Sequence, residues 1–121
     1  MQYSRRNATV GTNRVKTILS VYFPNEGITF CERFAADTLK KVIKKIGVEH
    51  VANACKRDVD SVLNINNVPL VTRKKDDYYA SRQHDIGNGW LVFTGTNTEV
   101  KKRQLDELKK LYHLNMLVAI V

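Results

Sequence analysis

The stretch from His84 to Leu108, HDIGNGWLVFTGTNTEVKKRQLDEL, constrains this chain more than any other. Trp90 to Thr94 is a short apolar run bounded by Gly87, Gly89 and Gly95, which predicts a strand. Thr98 is a favourable N-cap and Glu99 suits a first helical turn. From there Val100, Leu105, Leu108, Leu111 and Tyr112 recur at helical spacing, with Lys101, Lys102, Arg103, Lys109 and Lys110 mainly off that stripe. The segment therefore reads as strand, loop, helix, with the loop built from small hydrogen-bonding side chains.

The rest of the chain is taken in order. Met1 to Arg14 is polar and basic and is expected to be a flexible arm; residues 15–121 are expected to form a single domain. Val15 to Phe23 fits both a helical and an alternating pattern, and helix is the favoured reading. Pro24 to Gly27 breaks it. Thr29 to Ile46 predicts a long helix, with Phe30, Phe34, Leu39, Val42, Ile43 and Ile46 on one side and Lys40, Lys41, Lys44 and Lys45 on the other. That lysine face is either solvated or laid along phosphates. Gly47 is a stop, and Val48 to Cys55 reads as a second helix with Val51, Ala52 and Cys55 inward. Leu63 to Thr72 predicts one or two short strands, interrupted at Asn64 to Asn67. Leu114 to Val121 is apolar and expected in the core, as a short helix or a terminal strand. The fold class expected is α+β, mainly helical with one small antiparallel sheet.

Twenty Lys and Arg against twelve Asp and Glu leave a formal charge of +8. For a chain this size the default partner of such a surface is a polyanion. Nucleic acid is favoured over membrane, because no aromatic-rich amphipathic anchor and no spanning run is present. Cys31 and Cys55 make no metal-type pair and read as buried free thiols, which suits the cytoplasm. His50, His84 and His113 are scattered, and no Cys/His spacing suits zinc. Neither a cofactor nor a metal is expected.

The loop Thr94 to Thr98 carries the chemistry. A helix start offers free N–H groups and the positive end of a dipole, both suited to phosphate. An Asn amide can hold adenine through two hydrogen bonds in the major groove, and a Thr methyl can touch the methyl of thymine. Thr94, Thr96, Asn97 and Thr98 are thus the candidate base-reading residues. Lys101 and Lys102, with Arg57, Arg73 and Lys74, are the candidate phosphate contacts. The plainer alternative is a capped turn in which Thr96 and Asn97 only satisfy the backbone.

His84, Gly87, Trp90, Val92, Thr94, Thr96-Asn97-Thr98, Lys101, Leu105-Asp106 and Leu108 together resemble the C-terminal DNA-binding domain of the SeqA family. The likeness is specific over residues 84–108 and fainter over 33–121. It implies a negative regulator of replication initiation that binds double-stranded DNA at hemimethylated GATC sites through its Thr/Asn loop. It places Asn97 and the neighbouring threonines at the bases, with a second basic contact upstream near Lys56 and Arg57. Gly95 stands where the family has a second asparagine, and residues 1–30 do not resemble the family's oligomerisation domain. A nucleoid-associated regulator of replication or transcription, without catalysis, is the resulting expectation. Pairing with a second copy is left open.

Two further readings remain. Val48 to Val62 invites a helix-turn-helix, with residues 58–63 opening the recognition helix, although Lys56 stands at the usual turn glycine and Arg57 at an apolar position, and an ordinary helical hairpin fits the same residues as well. Asp85, Glu99 and Lys101 spell D…E-x-K, the pattern of Mg²⁺-dependent nucleases. That pattern needs Glu99 and Lys101 on a strand, whereas the sequence around them starts a helix.

Overall fold

A computed structural model describes residues 17–121. The expected basic arm and the start of the 15–121 unit lie outside the described residues. Eight strands and three α-helices follow in order: β1 (Leu19–Phe23), β2 (Ile28–Phe30), α1 (Ala35–Ile46), α2 (Val48–Arg57), β3 (Asn64–Ile65), β4 (Val68–Pro69), β5 (Val71–Thr72), β6 (Gln83–Asp85), β7 (Leu91–Phe93), α3 (Thr98–Tyr112) and β8 (Leu117–Ile120). The strands form three antiparallel groups, β2-β1-β8, β3-β4 and β5-β7-β6. With 38% helix and 23% strand, the fold is a mixed α+β one and not the mainly helical, single-sheet one expected.

The largest departure is at the first strand. Leu19, Val21 and Phe23 are buried and Ser20 and Tyr22 face outward, so the alternating pattern prevails over the helical one. Gly27, at φ +67, donates to the Phe23 carbonyl at 2.9 Å and turns the chain back. Ile28 to Phe30 then pairs with β1, with Tyr22 opposite Thr29. The helix expected from Thr29 therefore starts only at Ala35, and Phe34 is 61% exposed instead of core. Cross-strand pairing, and the edge-on contact of Phe23 with Phe30 at 6.0 Å, outweigh helical spacing here.

Leu39, Val42 and Ile43 of α1 are buried, against Val51, Ala52, Ala54 and Cys55 of α2 and Leu105 and Leu108 of α3, in one apolar cluster. Three of the four α1 lysines meet carboxylates: Lys41 with Glu32 at 3.0 Å, Lys40 with Asp37 and Lys45 with Glu26, both at 3.4 Å. The face is thus largely charge-balanced. Gly47 sits at φ +118, and a Cβ there would come within 2.9 Å of the His50 ring, so the one-residue joint between α1 and α2 requires glycine.

Residues 58–63 form turns, not a helix. Ser61 folds back on Asp58, its N–H and hydroxyl both donating to the Asp58 carbonyl, at 3.0 and 2.8 Å, and the Asn64 amide reaches the same oxygen at 3.3 Å. Side chains competing for local backbone groups explain the break. A helix-turn-helix has no recognition helix here. The β3–β4 hairpin turns on Asn66 and Asn67, both at positive φ, as two-residue hairpin loops demand.

β7 is the middle strand of its sheet, with Val92 opposite both Val71 and His84. β8 closes on β1, but only Met116 of the terminal segment is fully buried, and Leu117 and Val121 are over half exposed. The expected core segment is therefore a sheet edge with one face open. Cys55 is buried, as expected, whereas Cys31 is exposed. No helix among the described residues is long and apolar enough to cross a membrane.

Candidate nucleic-acid interface

The strand, loop and helix read between His84 and Leu108 are present as β7, residues 94–97 and α3. The cap lies one residue earlier than expected. Asn97 is the N-cap, and its Oδ1 accepts from the Val100 N–H at 2.8 Å. Thr98 is instead the first helical residue, and its hydroxyl donates to the Thr17 carbonyl at 3.0 Å.

Lys101 is the most altered assignment. It is 4% exposed, and its ammonium points back into the loop. It donates to the Thr94 carbonyl at 3.1 Å, to the Thr96 carbonyl, and to the Thr96 hydroxyl at 3.3 Å. A lysine ammonium has three N–H donors and no acceptor, so these three acceptors use it fully. Burial lowers its pKa from 10.5 to about 8, which still leaves it a cation at neutral pH. Lys101 is therefore a strut beneath the loop and not a phosphate contact. The same residue leaves the D…E-x-K pattern without its lysine. Glu99 and Lys101 lie in the first turn of α3, and Asp85 closes the β6–β7 turn by accepting from the Gly87 N–H at 2.7 Å. No group of three His, Cys, Asp or Glu among the described residues is placed to hold a metal ion.

Thr94 also leaves the base-reading set. It is buried, and its hydroxyl donates to the Arg82 carbonyl at 3.1 Å. The same oxygen stands 3.3 Å from His84 Nε2, while Lys40 Nζ stands 3.2 Å from His84 Nδ1. An ammonium can only donate, so Nδ1 accepts and Nε2 carries the proton given to Thr94. This chain from Lys40 through His84 to Thr94 joins α1 to the back of the loop. Burial, and then the nearby Lys40 charge, lower the His84 pKa below 6.5, which keeps the imidazole in this neutral form. Sequence reading missed the link because Lys40 and His84 are 44 residues apart.

What remains outward is Gly95, Asn97 and Glu99, with Thr96 and Thr98 half-buried. Gly95 is dictated from below. A Cβ there would lie 2.7 and 2.9 Å from the Phe93 ring and 3.1 Å from the Arg82 Cβ. The same contact places Arg82 against the loop tip, and Arg82 is exposed. It is a phosphate candidate that sequence analysis did not select. Nothing in its own neighbourhood, Ala80-Ser81-Arg82-Gln83, signals the proximity.

The other selected cations are not gathered here. Lys102 is near the loop, held by Asp106 at 2.7 Å. Arg57 lies over the Tyr112 ring at 5.8 Å, at the other end of α3. At about 1.5 Å per residue, the fifteen residues of α3 put it roughly 20 Å from the loop. Arg73 lies over Trp90, 4.5 Å from the ring centroid, at the opposite end of β7, and Lys74 follows it in sequence, its carbonyl accepting from the Gln83 amide at 3.2 Å. The nine selected residues thus divide into a loop group, the pair Arg73 and Lys74, and an isolated arginine. No family model, no curated protein and no solved structure matches this chain.

Proposed function

We propose that the chain is a sequence-selective double-stranded DNA-binding protein, a regulator of replication or transcription that performs no catalysis and reads bases with the loop at the head of α3. The carrying observation is the construction of that loop. Lys101 holds it from beneath through three hydrogen bonds, and Asn97 caps the helix while remaining exposed. A loop held from behind meets a base edge with little ordering cost, which favours recognition. The +8 charge and the likeness to the SeqA domain support the same reading.

The chemistry of the contact is narrower than the residue types alone suggest. Asn97 Oδ1 is engaged by Val100, so Nδ2 is the group offered to a base. A donor in the major groove selects acceptors such as purine N7, guanine O6 or thymine O4. A two-bond grip on adenine would share Oδ1 with the cap. Thr96 and Thr98 flank Asn97 in sequence, and Arg82 and Lys102 supply phosphate contacts. Gly95 removes one amide relative to the SeqA pattern, so the preference among the methylation states of GATC differs from that family's.

The test is a fluorescence-anisotropy titration with matched duplexes: GATC unmethylated, hemimethylated and fully methylated, against a scrambled control and at several salt concentrations. The wild type prefers one duplex, and Asn97→Ala abolishes that preference while retaining nonspecific affinity. Equal affinity of the wild type for every duplex, or intact preference in Asn97→Ala, overturns the reading.

A further inference from the structure

The groove beside Trp90 is the feature the loop does not use. It is a half-open depression of about 370 Å³ between α2, the β3–β4 hairpin and β5, near the lower end of the roughly 300–1,000 Å³ typical of small-ligand sites. Its surface is mainly apolar: Val71 forms part of the floor, Trp90 a wall, and Val59, 63% exposed, the lip. Lys56, Arg73 and Lys74 also line it, and no Asp or Glu does. Among the described residues none of these three cations is paired with a carboxylate. This contrasts with α1, where three of the four lysines have acidic partners.

We propose that this groove binds a nucleoside phosphate, with the base on the apolar floor beside Trp90 and the phosphate held by Lys56, Arg73 and Lys74. The ligand must combine an apolar planar body with negative charge, because the site offers both surfaces side by side. A flat ring is favoured over an aliphatic chain by the aromatic wall and by the Arg73 guanidinium lying over it at 4.5 Å. Polar groups for a ring edge are also present. Asn64 uses its Nδ2 on the Cys55 and Asp58 carbonyls at 3.0 and 3.3 Å, which leaves Oδ1 to accept from a base amino group. Thr72 Oγ1 accepts from the Lys74 N–H at 3.1 Å, which leaves its hydroxyl proton to donate. A free mononucleotide and an unpaired nucleotide of a single strand present the same chemistry. The groove lies at the opposite end of β7 from the loop, so its occupancy does not depend on duplex reading.

Trp90 is the only tryptophan in the chain and reports directly on the groove. Its fluorescence is titrated with adenosine, guanosine, cytidine and uridine 5′-monophosphates, the parent nucleosides, inorganic phosphate, a short single-stranded oligonucleotide, a duplex and a polyglutamate peptide. At least one monophosphate or the single strand is expected to quench saturably, at least about tenfold more tightly than nucleoside or inorganic phosphate, since each loses half of the contacts. Quenching by the oligonucleotide without the free monophosphates identifies a strand as the source. Arg73→Gln with Lys74→Gln weakens binding about tenfold, and Lys56→Gln, on the exposed side of α2, serves as an independent variant with an unchanged melting profile. No saturable quenching up to about 1 mM, equal binding of inorganic phosphate, or a response only to the duplex or to polyglutamate overturns the proposal.

Discussion

Replacing Lys101 with methionine separates a strut from a phosphate contact. The substitution keeps the buried stem and removes the ammonium. At neutral pH, keeping that ammonium in a site where its pKa falls from 10.5 to about 8 costs on the order of 3 kcal/mol. Against this stand three hydrogen bonds from a charged donor, at about 1.5–3 kcal/mol each. The balance favours the lysine by roughly 2 kcal/mol or more, because two main-chain carbonyls, one of them in a buried residue, are left without their donor. For a domain of this size a loss of that order lowers the melting temperature by about 10 °C. Thermal unfolding by circular dichroism measures it, and anisotropy titrations across salt concentrations measure the second consequence. Lys101→Met loses duplex preference as the loop loosens, yet the salt slope of nonspecific binding is unchanged, because no phosphate contact is removed. A variant that melts with the wild type and whose salt slope falls by about 0.9 refutes the strut and restores Lys101 as a phosphate contact.

Further outcomes follow from the same geometry. Arg82→Ala lowers the salt slope by about 0.9 without changing stability, checked by the same titrations. Gly95→Asn, which restores the SeqA-like side chain, destabilises the fold by about 1–3 kcal/mol in urea unfolding, because its Cβ meets the Phe93 ring at 2.7 Å. Stability has a linked pH dependence: between about 8 and 10.5 the unfolded chain holds the Lys101 proton and the folded one does not, so wild type gains stability relative to Lys101→Met as pH rises through that window, measured by parallel urea titrations. Burial first and the Lys40 charge second lower the His84 pKa, so Lys40→Met moves its titration upward in nuclear magnetic resonance by removing a neighbouring charge.

Local features were legible where one pattern stood alone. The α3 stripe of Leu105 and Leu108, the α1 stripe of Leu39, Val42 and Ile43, the Gly47 joint and the apolar run of β7 needed no partner to be recognised. The run Val15 to Phe23 satisfies two periodicities, and only the pairing of Leu19–Phe23 with β2 and β8 decides for the strand over the helix expected. The alternative of a recognition helix at residues 58–63 fails for the opposite reason: Asp58, Ser61 and Asn64 form a local turn that apolar spacing does not register.

The candidate site divides in the same way. The order of residues along the chain determined that a strand would run into a Gly/Thr/Asn loop and then a basic helix, because glycine boundaries, capping residues and helical spacing all act over a few positions. Tertiary structure decided which of those side chains face outward. Thr94 and Lys101 turn inward because the loop's backbone must be satisfied from beneath, and Asn97 stays exposed because its cap bond is local. Arg82 joins the loop through the β6–β7 pairing, Arg73 leaves it through the β5–β7 pairing, and Arg57 leaves it by lying over Tyr112 at the far end of α3, all contacts between distant positions. Charge and composition carry no record of such distances, so the basic character was predictable while the division of the cations into separate groups was not.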